Sequence, residues 1–270
     1  MKTFSAEGRN LLSYQHIYHA GGPADVHKHL ALAEVLALLT AKDRGVSYLE
    51  THAGRGLYHL DTEEALKTEE ASEGINRVKT DQTGAYFSVL RAVRSAHGDQ
   101  AYPGSPFVAA SMLRPQDRIV LMEKHPQEVA ALRRAMRGTR AEIHARDGYE
   151  GAVALSPMEP RRGLVLIDPS YEVKHEYHLA AKLVNTLTGR WKEAVTMVWY
   201  PLLRNAPHDA FFASLDVPVL RHEVGFDLKG GAGMVGSGLA IAAAPYGTDA
   251  ALDLVMQQGH SILRSHQRRR

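Results

Sequence analysis

The sequence predicts an α/β fold in which a mostly parallel sheet carries helices on both faces. Three observations carry this: short apolar runs, longer segments of helical spacing between them, and acidic or glycine-rich residues where the runs end. The runs at 46–50, 118–123, 163–168, 194–200 and 238–243 are partly β-branched and lack the alternation of a half-exposed strand, so they read as buried strands. Between them, Asp25–Ala41, Gln127–Arg137, Tyr177–Thr188 and Pro207–Leu215 have helical spacing. Strands alternating with helices give a doubly wound sheet, which binds ligands beyond the carboxyl ends of its strands. Those ends read Glu50-Thr51-His52-Ala53-Gly54, Glu123-Lys124-His125 and Asp168-Pro169-Ser170-Tyr171, so the chemistry is expected along one edge. Asp61–His97 breaks the alternation, being charged and helical in character, and the chain returns through the loop Tyr102–Pro106. The expected organisation is a main domain of residues 1–57 and 103–270 with an inserted helical subdomain at 58–102.

A chain of 270 residues can hold one large α/β domain with such an insertion. Its composition, 44% hydrophobic and 23% charged, excludes disordered and fibrous classes. The lack of cysteine removes disulfides and thiolate metal sites, and fits a reducing compartment. The most apolar stretch, Leu30–Leu39, contains Glu34 and falls short of the roughly 20 residues a membrane helix needs. Met1–Asn10 has no apolar signal core. A cytoplasmic protein without a membrane partner is the expectation. A net charge of +2 permits an RNA partner without requiring one, and the terminal cluster of Arg264, Arg268, Arg269 and Arg270 reads as a solvated tail.

The most informative segment is the apolar strand ending at Asp168, followed by Pro169, Ser170 and Tyr171. An adenine amino group is a poor nucleophile because its lone pair is delocalised into the ring. Acceptors aimed at its two hydrogens therefore help it react, and the Asp168 carboxylate with the Pro169 carbonyl could form such a pair. Tyr171 is placed to stack on a base that has left its helix. In isolation, Asp-Pro equally ends a strand and opens a turn. After the first strand, Gly54 and Gly56 let the backbone approach a ligand closely. Glu123 ends the next strand, where a carboxylate commonly accepts from ribose hydroxyls, and Arg146-Asp147-Gly148 is a turn suited to a nucleotide's adenine. Upstream, Pro23 opens a helix that is apolar nearly all round, and Lys28 and His29 in its early turns favour an anion.

Glycine loop, ribose acid, Asp-Gly turn and Asp-Pro-x-Tyr, in that order, resemble the S-adenosylmethionine-dependent adenine-N6 methyltransferases. End to end, over roughly Leu12 to Tyr246, the chain resembles the RlmJ family of 23S rRNA (adenine-N6)-methyltransferases. The resemblance rests on Leu12-Ser13-Tyr14 with His16 and His19-Ala20-Gly21, on Thr51–Gly56, on Tyr102–Pro106, on Arg162–Pro169 and on Trp199-Tyr200-Pro201. It implies a Rossmann-like S-adenosylmethionine-dependent methyltransferase fold with a small helical insertion. The implied cofactor is S-adenosyl-L-methionine, and the implied partner is 23S ribosomal RNA. By motif, Lys28, His29, His52, Ser105, Glu123, Asp147, Gly148 and Asp168 are the implied cofactor contacts, and Asp168 is the implied catalytic residue. Tyr14, Pro169, Ser170 and Tyr171 are implied near the target base. No metal is implied, and no protein partner is indicated, so a monomer is expected. One departure stands out: the family motif has proline where this chain has Ser170, so the loop loses one fixed φ.

Two readings from other classes stay open on the residues alone. His16, His19, Asp25, His27 and His29 are close enough in sequence to suggest a metal-dependent hydrolase, although a helix turns His27 and His29 to different faces. The other is a non-catalytic nucleic-acid-binding protein that keeps the fold, with a role in DNA utilisation.

Overall fold

The computed structural model describes residues 16–79, 81–226 and 233–266. Its strands, in chain order, are β1 (Ser47–Glu50), β2 (Leu57–His59), β3 (Ala101–Pro103), β4 (Arg118–Glu123), β5 (Glu142–Ala145), β6 (Gly163–Ile167), β7 (Ala194–Leu203), β8 (Val219–Gly225), β9 (Met234–Ala242) and β10 (Arg264–Ser265). The helices are α1 (Pro23–Thr40), α2 (Glu63–Thr68), α3 (Glu70–Glu73), α4 (Ala85–His97), α5 (Ser105–Met112), α6 (Pro126–Ala135), α7 (Gly148–Leu155), α8 (Glu176–Arg190), α9 (Asp209–Ala213) and α10 (Thr248–Gln258).

Eight strands form one sheet in the order β10-β8-β9-β7-β6-β1-β4-β5. From β5 to β7 the pairings are parallel, with Tyr48 of β1 set between Ile119 and Leu164. The central strands β1, β4 and β6 are buried along nearly their whole length, which is why they read as continuous apolar runs. The chain starts at β1, fills one side with β4 and β5, then crosses back to β6 and β7. The switch point therefore lies between the ends of β1 and β6, where a doubly wound sheet leaves a crevice.

Beyond β7 the pairing turns antiparallel through β9, β8 and β10. The run expected at 238–243 is the second half of β9, whose first half is concealed by the small residues Gly236, Ser237 and Gly238. β8 has no counterpart among the expected strands because Arg221, His222 and Glu223 interrupt its apolar pattern. The short helices α5, α7 and α10 also went unmarked, as each offers only two or three turns of pattern.

One face of the sheet is covered by α1, α4, α5, α6 and α10, the other by α7, α8 and α9. Helix α1 is apolar nearly all round because α4, α5 and α10 enclose it on the sides the sheet leaves open. Segment 58–102 leaves and rejoins through β2 and β3, which pair antiparallel with Tyr58 opposite Tyr102. Within it, α4 buries Tyr86, Phe87, Leu90 and Val93 in the same core as α1. Among the described residues no helix is long and apolar enough to cross a membrane.

Candidate active site

A cavity of about 710 Å³ opens over the switch point. It is lined by the loops after β1, β4, β5 and β6, by the end of β7 and by the start of α1. Its two halves are built from different materials.

Over β1, β4 and β5 the cavity is shaped by backbone and by two carboxylates. Gly54 adopts a φ of +58°, which bends the loop after β1 so that its amide donates to Glu123 Oε2 at 2.9 Å. Glu123 Oε1 accepts from the amides of Lys124 and His125 at 2.7 and 2.8 Å. Three amides thus occupy three of the about four acceptor positions of a carboxylate, leaving one for a ligand hydroxyl. Burial raises the pKa of Glu123, and the same three amides oppose that shift. Asp147 caps α7, its Oδ1 accepting from Tyr149 and Glu150, while Oδ2 meets Lys124 Nζ at 3.2 Å. The next residue must be glycine, since a Cβ on Gly148 would lie 1.9 Å from the Thr51 carbonyl. This close approach seats the start of α7 against the β1 loop. His52 lies between them, bonded to Thr51 Oγ1 at 2.7 Å and set edge-on to the Tyr149 ring. Burial lowers its pKa to about 4, so it is neutral at pH 7.

Over β6 the cavity is lined by a buried charge cluster. Lys28 Nζ lies 2.5 Å from Asp168 Oδ2 and 3.0 Å from Asp25 Oδ1. Asp25 also accepts from the Gly21 amide and from His16, at 3.1 Å each, and faces His29 Nε2 at 3.4 Å. Burial alone would depress the pKa of Lys28, but Asp168 and Asp25 outweigh it and raise it. Burial opposes the charge on Asp25, yet His29, Lys28 and His16 hold its pKa well below the ordinary value. His29, with Nδ1 on the Tyr102 hydroxyl at 2.9 Å, is lowered by burial to about 4 and is neutral at pH 7. The cluster therefore sets two carboxylates against one ammonium, an environment that favours an incoming cation.

Ser105 opens α5 and donates to Glu50, which also accepts from Tyr48 at 2.8 Å. Burial raises Glu50 to about 8, so it is largely protonated at neutral pH. Tyr171 has the left-handed φ of 55°, rare for a bulky residue. It is held there by its hydroxyl on the Trp199 carbonyl at 2.7 Å and by Tyr177, whose ring centre lies 4.4 Å away. Ser170 donates to Glu176 Oε2 at 3.3 Å, a tether from the loop to the start of α8 where the family has a proline ring.

The cavity thus gathers Lys28, His29, His52, Ser105, Glu123, Asp147, Gly148, Asp168, Pro169, Ser170 and Tyr171. Tyr14 lies outside the described residues. The histidines that suggested a metal site go three ways: His16 and His29 face Asp25, His19 meets Glu70 at 2.8 Å, and His27 turns away to Ser237 and His222, at 2.8 and 2.9 Å. The sequence marked Glu50 as a strand-end acid without giving it a role, and it passed over Tyr149, Glu176 and Tyr177. For Asp25 a signal existed, because its spacing to Lys28 and His29 places all three on one helix face. For Glu176 and Tyr177 none did.

A doubly wound sheet whose fourth parallel strand ends in this acceptor loop, beside a glycine-shaped pocket with a ribose-type acid, defines a Rossmann-like methyltransferase. Residues 43–266 match the family described as ribosomal RNA large subunit methyltransferase D, RlmJ, and the chain belongs to that family. It is 35% identical over 249 residues to the ribosomal RNA large subunit methyltransferase J of Haemophilus influenzae, spanning 87% of this chain and 88% of that one. The Escherichia coli protein of the same description is 32% identical over 264 residues, spanning 94% of each. A crystal structure of a protein from Legionella pneumophila has a TM-score of 0.79 and 32% identity, and covers 93% of this chain and 99% of that one. The chain is therefore a transferase of the ribosomal RNA methylating class, and neither the hydrolase nor the non-catalytic reading is favoured.

Proposed function

We propose that the protein acts as a cytoplasmic monomer and transfers a methyl group from S-adenosyl-L-methionine to the N6 amino group of an adenine in 23S ribosomal RNA, on a base drawn out of its helix. The observation that carries this is the position of Asp168: a partly exposed carboxylate at the end of β6, beside the Pro169 carbonyl and at the floor of a cavity large enough for cofactor and base. When bound, S-adenosylmethionine supplies a methyl group on a sulfonium cation. The donor set fits such a group. Glu123 keeps one acceptor position for a ribose hydroxyl, the loop at Gly54 brings backbone close, and the Tyr149 hydroxyl is buried beside the cavity without a hydrogen-bond partner. Neutral His29 and His52 do not oppose a cation, and the carboxylate excess favours it.

Asp168 and the Pro169 carbonyl accept hydrogen bonds from the two amino hydrogens, which turns the nitrogen lone pair out of the ring. As positive charge develops on that nitrogen, the Asp168 carboxylate stabilises it from a preorganised position. Lys28 holds Asp168 in place and balances it against Asp25. A ligand carboxylate at the start of α1 would meet Asp25 as well as Lys28, so the cation there serves the cluster first. Tyr171, backed by Tyr177, offers its cavity side as a stacking surface for the base.

The test is single-turnover methylation of a 23S rRNA fragment by wild type and Asp168→Asn, followed by nucleoside analysis. The variant keeps the shape but loses charge and acceptor capacity, so transfer should fall about a hundredfold or more. Near-normal transfer by the variant, or methylation of another atom, would defeat the reading.

A further inference from the structure

The parallel part of the sheet ends at one level, but β7 does not stop there. Ile167, the last residue of β6, pairs with Val198, and β7 continues to Leu203 with β9 alongside as far as Met234. Residues 199–203 and their partners therefore stand beyond the catalytic loop as a wall. Trp199 and Leu203 reach the cavity from one face of this extension, together with Pro201 and with Met234 from β9. Tyr200 and Leu202 point the other way, into the core around Phe211.

The wall is apolar by construction. The one polar atom of the Trp199 side chain donates to Ser237 Oγ at 2.9 Å, and Ser237 is in turn bonded to His27. The indole plane is fixed from behind, and only its hydrocarbon face is left for the cavity. Its inner end lies at the catalytic centre, with Lys28 Nζ 5.9 Å from the Trp199 ring and the Tyr171 ring centre 6.0 Å away. The outer end, at Leu203 and Met234, is roughly 13 Å further along at the usual strand rise. One base at Asp168 cannot cover that length. Two exposed cations adjoin residues of the cavity: Arg204 follows Leu203, its amide bonded to the Gly233 carbonyl, and Lys174 sits between the cavity-lining Val173 and His175, with Glu172 and Glu176 beside it.

We infer that the outer wall, formed by Pro201, Leu203 and Met234, is a subsite for the nucleobase of the nucleotide adjoining the target in the RNA strand, with the flanking cations meeting its phosphates. The inference rests on the proposed RNA methylation. An apolar wall continuous with the reaction cavity, with Arg204 and Lys174 exposed beside residues of the cavity, suits the face of a nucleobase on a phosphodiester chain, a contact that tolerates a range of bases because every base has an apolar face. The subsite reads the strand's path out of the cavity, whereas Asp168 and Pro169 read the target.

The test pairs protein variants with RNA variants. Wild type, Leu203→Ala, and Leu203→Ala with Met234→Ala are assayed on a 23S rRNA fragment whose methylated adenine has been mapped. The same fragment is then used with an abasic nucleotide immediately 5′ or 3′ of that adenine. RNA affinity is measured beside kcat/KM, and each variant is first checked for an unchanged melting transition and cofactor affinity. Wild type should lose about tenfold in kcat/KM and in RNA affinity when one particular neighbour is abasic, in keeping with the energy of stacking one base. The double variant should lose a similar factor on intact RNA and little more on that abasic RNA. Independent, multiplying losses, or a wild type indifferent to abasic sites on both sides, would overturn the subsite while leaving the methyltransferase reading intact. Failure of the wild type to methylate any 23S fragment would overturn both.

Discussion

The two halves of the cavity answer differently to the loss of a side chain. Over β4 and β5 the key groups are held mostly by backbone amides, Glu123 by those of residues 124 and 125 and of Gly54 across the cavity loop, and Asp147 by those of 149 and 150. Over β6 the key groups hold one another across the chain, Lys28 and Asp168 being 140 residues apart and both largely buried. A group held by local backbone can be removed with consequences that stay local, mainly in ligand affinity. A member of a buried, charge-balanced cluster cannot, because its removal leaves the partners unpaired.

The sharpest way to break this contrast is Lys28→Met. With the ammonium gone, Asp168 loses this buried partner and Asp25 keeps only the Gly21 amide, His16 and His29, and breaking a buried pair typically costs about 3–5 kcal/mol. Urea unfolding should show a loss of that order; a variant as stable as wild type would mean the cluster is less coupled than its geometry. Glu123→Ala, in the other half, should instead weaken S-adenosylmethionine binding by about tenfold to a hundredfold, the worth of a charge-assisted hydrogen bond of roughly 1.5–3 kcal/mol. Titration calorimetry measures this, and because Glu123 also latches the Gly54 loop, the melting temperature should fall less than for Lys28→Met.

The dependence of stability on pH cuts across the two halves. Glu50 is raised to about 8 when folded, so its protonated form stabilises the fold below the unfolded carboxyl pKa, and that contribution is lost as pH rises through 8. His29 and His52 are lowered to about 4, so their contributions are complete above about 6.5, the free-histidine value, and are lost as pH falls toward 4. Stability should therefore peak near neutral pH, with each group contributing a limiting slope of about 1.4 kcal/mol per pH unit. Unfolding measured from pH 4.5 to 8.5 should show both limbs, and Glu50→Gln should flatten the fall above about pH 6.5 and steepen the rise below it, because the Glu50 slope runs from about 4.5 to 8. An unchanged alkaline limb would place that titration elsewhere.

The smallest effect is expected at Ser170. In Ser170→Pro the ring restores a fixed φ, worth about 0.4–1 kcal/mol through the unfolded chain, while the bond to Glu176, of similar size, disappears. Stability and methyl-transfer rate should both stay close to wild type. A tenfold drop in rate would show that the hydroxyl orients the loop in a way proline does not.

How much of this was legible in the sequence follows the same division. The glycine loop, Glu123, the Asp-Gly turn and Asp168-Pro169-Ser170-Tyr171 each announce themselves within a few residues at a strand end. The central strands were readable because burial on both faces leaves an uninterrupted apolar run. β8 was not, since a strand near the sheet margin keeps polar residues, and α10 was not, since its burial against α1 is a tertiary contact between the two ends of the chain.

By itself, then, the sequence determined the parallel core, the edge where ligands meet it and the family to which the chain belongs, because these depend on local pattern and residue type. The tertiary structure decided which of those residues act together. It set Lys28, read in sequence as a cation at a helix start, between Asp25 and Asp168. It made Glu50 a buried acid shared with Ser105, and it carried Trp199 past the end of β6 to wall the cavity. Charge balance, burial and the relative lengths of neighbouring strands are properties of residues brought together from distant parts of the chain, and no local window of sequence contains them.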